Sequence, residues 1–96
     1  MTATANEVSL GRQALRRSVN ERIRSTIDSN ESGSIDVFCE CGRVRCSDRL
    51  RLAIDELDEV LGTPGWYVVR PGHEDDGAER SVSRHEDVLV VERNGR

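Results

Sequence analysis

Cys39-Glu40-Cys41-Gly42-Arg43-Val44-Arg45-Cys46 carries all three cysteines of the chain within one short stretch, and its reading decides how so small a protein is held together. The spacing is C-x-C-x4-C. Zinc takes thiolate sulfur at about 2.3 Å in a tetrahedron, and a tight turn lets a short segment supply several corners. Three cysteines cannot pair off internally, which disfavours a disulfide framework and makes a metal site the natural staple. Gly42 suits the positive φ that such a turn often needs. Arg43 and Arg45 are placed to lower thiol pKa values and offset the charge of a thiolate-rich site. Free cysteine also packs as a small apolar residue, but three so close together, with a histidine after a later tight turn, argue for ligation.

Cys39, Cys41 and Cys46 leave one corner open, and the chain offers only His73 and His85. His73 is the expected ligand. It follows Pro71-Gly72 directly after a strand, so a rigid turn fixes its imidazole. His85 falls in or beside a hairpin strand and is the alternative. Glu40, Glu74 or water would complete the site less well, since structural zinc prefers nitrogen and sulfur. Iron–sulfur ligation normally needs four thiolates, so Zn2+ is the expected ion.

A chain of 96 residues needs such a staple. It buries only about 60–65% of its unfolded surface. Leu, Ile, Val and Phe total 23 residues, and the aromatics are Phe38, Trp66 and Tyr67 alone. A small, valine-rich core of this kind is marginal by itself.

Outward from the cysteines, Ile35, Val37 and Cys39 alternate with Asp36 as a strand, and Arg49-Leu50-Arg51-Leu52 alternates likewise. Asp55–Leu61 has acids in its first turn and Gly62 at its end, a short helix with a glycine stop. Thr63-Pro64-Gly65 is a turn. Trp66-Tyr67-Val68-Val69 is wholly aromatic and β-branched, the strongest strand signal. Residues 73–79 are acidic and irregular. Val82 and Arg84 lead through Glu86-Asp87 into Val88–Val91, a hairpin whose second strand is buried on both faces. Upstream, a helix capped by Asn6 or Ser9 runs to about Ser29, with Val8, Leu15, Val19, Ile23 and Ile27 as its buried stripe. Arg12 and Arg16 intrude on that stripe, so either the helix packs mainly through its second half or those arginines lie across the rim with their stems buried. Asn30–Ser34 reads as a loop. The expected architecture is α+β: a small, mostly antiparallel sheet, a long N-terminal helix and a short second helix, stapled by a metal site. One domain spans 1–96, with 1–6 a flexible tail.

The net charge of −4 is unevenly spread. Residues 1–30 carry five arginines against Glu7, Glu21 and Asp28, and residues 47–79 carry nine acids against Arg49, Arg51 and Arg70. An acidic total argues against a nucleic-acid binder, which shows a net basic domain. No apolar run approaches the roughly 18 residues of a membrane span, and no secretion signal is visible at Met1–Asn6, so a cytoplasmic, reducing location is expected. All fourteen basic residues are arginine, which fits a GC-rich bacterial genome.

The stretch from Arg12 to Glu92 resembles a family of short actinobacterial proteins without an assigned activity. The matching features are Asn20-Glu21-Arg22-Ile23, Phe38-Cys39-Glu40-Cys41-Gly42 with Cys46, the Pro71-Gly72-His73-Glu74 turn and Val90-Val91-Glu92. The resemblance implies the same site of three cysteines and one histidine. This chain departs from it at Arg16, where an apolar residue is expected, and at Gly65-Trp66.

A tetrahedron filled by protein ligands has no position for water, so an enzyme is not expected. The deaminase signature, glycine-rich phosphate loops and a nucleophile elbow are all missing. The expected role is a non-catalytic zinc domain acting as a protein-interaction or regulatory module. A zinc-thiolate redox switch and a nucleic-acid-binding accessory protein are the alternatives. The expected partner is another protein, with no membrane and no small-molecule substrate.

Overall fold

Ile35 and Val37 alternate with Ser34 and Asp36, the pattern of a strand with one wet face. The computed structural model, which describes residues 5–28 and 33–93 with side chains from Leu10 onward, places strand β1 there, at Ser34–Phe38. It pairs antiparallel with β2, Arg49–Ala53. Ile35 opposes Leu52 and Val37 opposes Leu50 on the buried face, while on the wet face Asp36 opposes Arg51. That outer pair is an ion pair at 3.0 Å. The cysteine stretch is therefore the connection of a hairpin, closed by Cys39 N–H donating to the Asp48 carbonyl at 2.9 Å.

Helix α2, Ile54–Leu61, follows β2 directly and buries Ile54, Leu57 and Val60 at helical spacing. Its end differs from a glycine stop of the left-handed kind. Gly62 has φ −86°, open to any residue. What Gly62 supplies is room, since a Cβ there would lie 3.2 Å from the Asp58 carbonyl oxygen. The left-handed glycine falls later, at Gly65 with φ +84°, whose carbonyl receives the Arg93 N–H.

Strands β3 (Trp66–Val69), β4 (Glu79–His85) and β5 (Val88–Arg93) form an antiparallel sheet in the order β3-β5-β4. Val88–Val91 of β5 are all buried, as expected for a central strand. A register shift between Ser81 and Ser83 leaves Val82 as a bulge. The α+β class holds, with the strands divided into a two-stranded and a three-stranded sheet. The core joins both: Val37 and Leu50 from the first, Leu57 of α2, and Val68, Val69 and Val91 from the second.

Helix α1, Ala5–Ser25, departs furthest from expectation. Asn6 and Ser9 lie inside it, so neither caps it, and it closes with a turn through Thr26 and Ile27 rather than continuing to Ser29. Of the expected tail, residues 1–4 lie outside the described residues, while Ala5 and Asn6 are helical. Most of the expected loop at 30–34 and the side chain of Val8 are likewise outside them. The apolar stripe is turned out: Leu15 is 65% exposed and Val19 38%. Ile23 and Ile27 are half-buried against the core. The buried face is polar instead, with Gln13 at 1% and Asn20 at 0% exposure. Arg16 and Arg17 lie half-buried beside them. The physical reason is hydrogen bonding. The surface under α1 is the backbone around residues 38–43, whose donors and acceptors an apolar stripe would leave unpaired.

Candidate metal centre

The three cysteines and His73 come together from the two sheets. The hairpin connection brings Cys39, Cys41 and Cys46, and Cys46 N–H turns back to the Arg43 carbonyl at 3.3 Å. His73 arrives from the segment after β3. Arg70-Pro71-Gly72-His73 closes with His73 N–H on the Arg70 carbonyl at 2.8 Å, and Gly72 has φ +98°. Proline second and a left-handed glycine third is the type II pattern. Gly72, not Gly42, thus supplies the positive φ that aims the site, and Gly42 has no such φ.

The ligand atoms of Cys39, Cys41, Cys46 and His73 all lie within 4.8 Å of one another. His73 Nδ1 is 3.7 Å from Cys39 Sγ, 3.7 Å from Cys41 Sγ and 3.4 Å from Cys46 Sγ. One ring nitrogen carries a single proton or a single lone pair, so it cannot bond three sulfurs at once. A shared ion among the four atoms would account for this near-equal spacing. Bonds of about 2.3 Å to sulfur and 2.0–2.1 Å to nitrogen at a tetrahedral angle separate S and N by roughly 3.6 Å. The four residues could therefore hold a metal ion. His85 is exposed at the end of β4, paired with Val88, and is not in this cluster.

Glu40 and Glu74, the carboxylates weighed as ligands, are engaged elsewhere. Glu74 Oε1 accepts the Gly72 N–H at 2.6 Å, bracing the histidine turn. Glu40 is fully buried. Its Oε1 accepts Val68 N–H at 2.9 Å and Arg17 Nη1 at 3.4 Å, and its Oε2 accepts Asn20 Nδ2 at 3.0 Å. Its own N–H donates to the Val68 carbonyl at 2.7 Å. Glu40 thus pairs with the free edge of β3 as a strand would, its carboxylate standing in for a backbone carbonyl. Burial pushes its carboxyl pKa up, and Arg17, Val68 N–H and Asn20 pull against that.

Asn20 does for β1 what Glu40 does for β3. Its Oδ1 accepts Phe38 N–H at 2.8 Å and its Nδ2 donates to the Phe38 carbonyl at 2.8 Å. Gln13 Nε2 donates to the Glu40 carbonyl at 2.9 Å and to Glu79 Oε2 at 2.8 Å. Arg17 donates to the Trp66 carbonyl and lies over the Tyr67 ring at 4.8 Å.

The arginine that faces the thiols is Arg16, rather than Arg43 or Arg45. Arg16 Nη1 contacts the Cys41 carbonyl and lies 3.4 Å from Cys41 Sγ, and its Nη2 donates to the Arg43 carbonyl at 2.6 Å. Arg43 reaches instead to the Gly72 carbonyl at 2.9 Å, tying the two ligand turns together. Arg70 N–H donates to Cys39 Sγ at 3.2 Å. On the outer side of the imidazole, Asp48 Oδ2 lies 3.8 Å from Nε2. That is too long for a hydrogen bond, and the same oxygen pairs with Arg70 Nη1 at 3.3 Å. Hydrogen bonding from the Cys39 thiol, then from Arg43 N–H, Cys46 and His73, lowers the Cys41 pKa to about 4. The Cys39 pKa is pushed up by the same contact to Cys41 and by burial. The Cys46 pKa is raised, burial being the main cause.

Sequence reasoning missed Arg16, Glu40 and Asn20 in these roles. The available signal was helical spacing. Gln13, Arg17 and Asn20 share a face at i, i+4 and i+7, and Arg16 flanks it. No family model, curated protein or solved structure matches the chain. Among the described residues, no helix is long and apolar enough to cross a membrane.

Proposed function

We propose that Cys39, Cys41, Cys46 and His73 bind one Zn2+, and that the domain it holds is non-catalytic and acts through contacts with another protein in a reducing, cytoplasmic setting. The near-equal spacing of three sulfurs around His73 Nδ1 carries the metal reading. Three soft ligands and one imidazole match a structural zinc site, with no corner left for a substrate or an activated water. Arg16 and the Arg70 N–H would offset the charge of three thiolates on a divalent ion.

Metal analysis of the purified chain should give one zinc per chain. Cys41→Ser should lose that zinc and several kcal/mol of stability, because structural zinc affinity is coupled to folding. His85→Ala should keep both. Full zinc content and an unchanged melting temperature in Cys41→Ser would remove the assignment.

A redox role is the second reading, favoured by three sulfurs within 4.8 Å of one another, with Cys46 reachable from solvent. A peroxide would take two electrons from two thiolates, forming one disulfide and water and releasing the ion. Zinc release under mild peroxide, reversed by a thiol reductant, tests it.

A further inference from the structure

Arg12, Leu15, Val19 and Arg22 are spaced three, four and three residues apart, the spacing of one straight seam along a helix. Leu15 and Val19 form its exposed apolar centre. Arg12 is half-buried and Arg22 exposed, and neither guanidinium meets a carboxylate among the described residues. The polar face of α1 makes the hydrogen bonds to the rest of the described chain, which leaves Leu15 largely and Val19 partly open to solvent. Beside it, Arg16 ties α1 to the cysteine loop, whose tip repeats the chemistry: Val44, 66% exposed, between Arg43 and Arg45.

We propose that this seam is a docking surface for an acidic amphipathic helix of another protein. The occupant would carry an apolar pair at its centre and a carboxylate at each end, set about 15 Å apart to meet Arg12 and Arg22. Charge and composition decide against the other occupants. A second copy packed antiparallel on Leu15 and Val19 sets Arg12 against the partner's Arg22, and a parallel copy sets each arginine against its twin, both repulsive. An anionic lipid surface would meet a seam without aromatics.

The inference names the surface of the interaction role proposed above and rests on it. Its test uses the zinc-loaded full chain, 15N-labelled, and two synthetic helical peptides of about 18 residues. They share one leucine pair and differ only in glutamate or lysine at the two ends. The glutamate-ended peptide should shift amides of residues 11–23 and 43–45 and bind roughly tenfold or more tighter than its lysine twin, less so at high salt. The double variant Arg12→Glu, Arg22→Glu should reverse that preference, and Leu15→Asp should abolish binding of both, each with zinc content unchanged. Equal binding of the two peptides, an unreversed preference, tighter binding to phosphatidylserine vesicles, or self-association abolished by Leu15→Asp would each overturn it. Failure of this kind with one zinc still bound would leave the metal centre standing.

Discussion

Glu40 shows how one side chain can carry a role that its neighbours in the sequence do not announce. It sits between two cysteines, where a carboxylate looks like a spare ligand. Instead it occupies the junction of α1, β3 and the cysteine loop, with each oxygen accepting at least one N–H. Such a group is tolerated in the interior because each of its oxygens has a donor and Arg17 lies beside it. The isosteric change Glu40→Gln is the discriminating test. Whichever way the amide is turned, its NH2 faces a donor, either Asn20 Nδ2 or the Val68 N–H with Arg17. Removing the buried charge recovers part of the desolvation cost, so the net loss should be about 1–3 kcal/mol. Urea unfolding of the zinc-loaded protein measures it. A variant as stable as the parent would mean the carboxylate is not held as described.

At the scale of elements, strands and helices were legible to different depths. The alternation in Ile35–Val37 and Leu50–Leu52, and the apolar runs Trp66–Val69 and Val88–Val91, state directly which residues face inward, because a strand has only two faces. The cysteines and His73 were legible because soft ligands and a proline–glycine turn carry their chemistry in their identity. The face of α1 was not. Apolar periodicity selected Leu15 and Val19, whereas the surface awaiting the helix is unpaired backbone at Phe38, Glu40 and Cys41. Amide and guanidinium groups satisfy that surface and leucine does not. The structure therefore inverts the ordinary expectation for substitutions on a helix. Asn20→Leu, which adds an apolar group to the inner face, should destabilise by about 2–4 kcal/mol, since it strands both Phe38 backbone groups and one Glu40 oxygen. Leu15→Asp, which removes an apolar group from the expected stripe, should change stability by less than about 0.5 kcal/mol. Thermal melts of the two variants beside the parent would decide it, and the reverse order would show that α1 docks on its apolar stripe.

Across the whole molecule, the same few residues join two sheets that neither pair edge to edge nor share a strand. Cys39, Cys41 and Cys46 belong to the hairpin of β1 and β2, while His73 follows β3 of the other sheet. Glu40 pairs with Val68, and the Arg70 N–H reaches Cys39 Sγ, along the same border. An ion at this point would tie the two halves together. The energies are unequal in a telling way. Structural zinc binding in small domains is worth about 10–16 kcal/mol at neutral pH, against a net stability of only about 5–15 kcal/mol for a domain. Stripping the metal should therefore do more than loosen the cysteine loop; it should abolish cooperative folding at 25 °C. Trp66 is the only tryptophan and stands half-buried in β3, next to the Glu40–Val68 pairing, so its emission reports the border directly. Chelation should move that emission to longer wavelength and flatten the thermal transition, and added zinc should restore both, with a midpoint that rises with free zinc. Were the chelated chain to keep its emission and a sharp melt, valine packing alone would hold the two sheets together, and the ion would be an occupant of the fold rather than its tie.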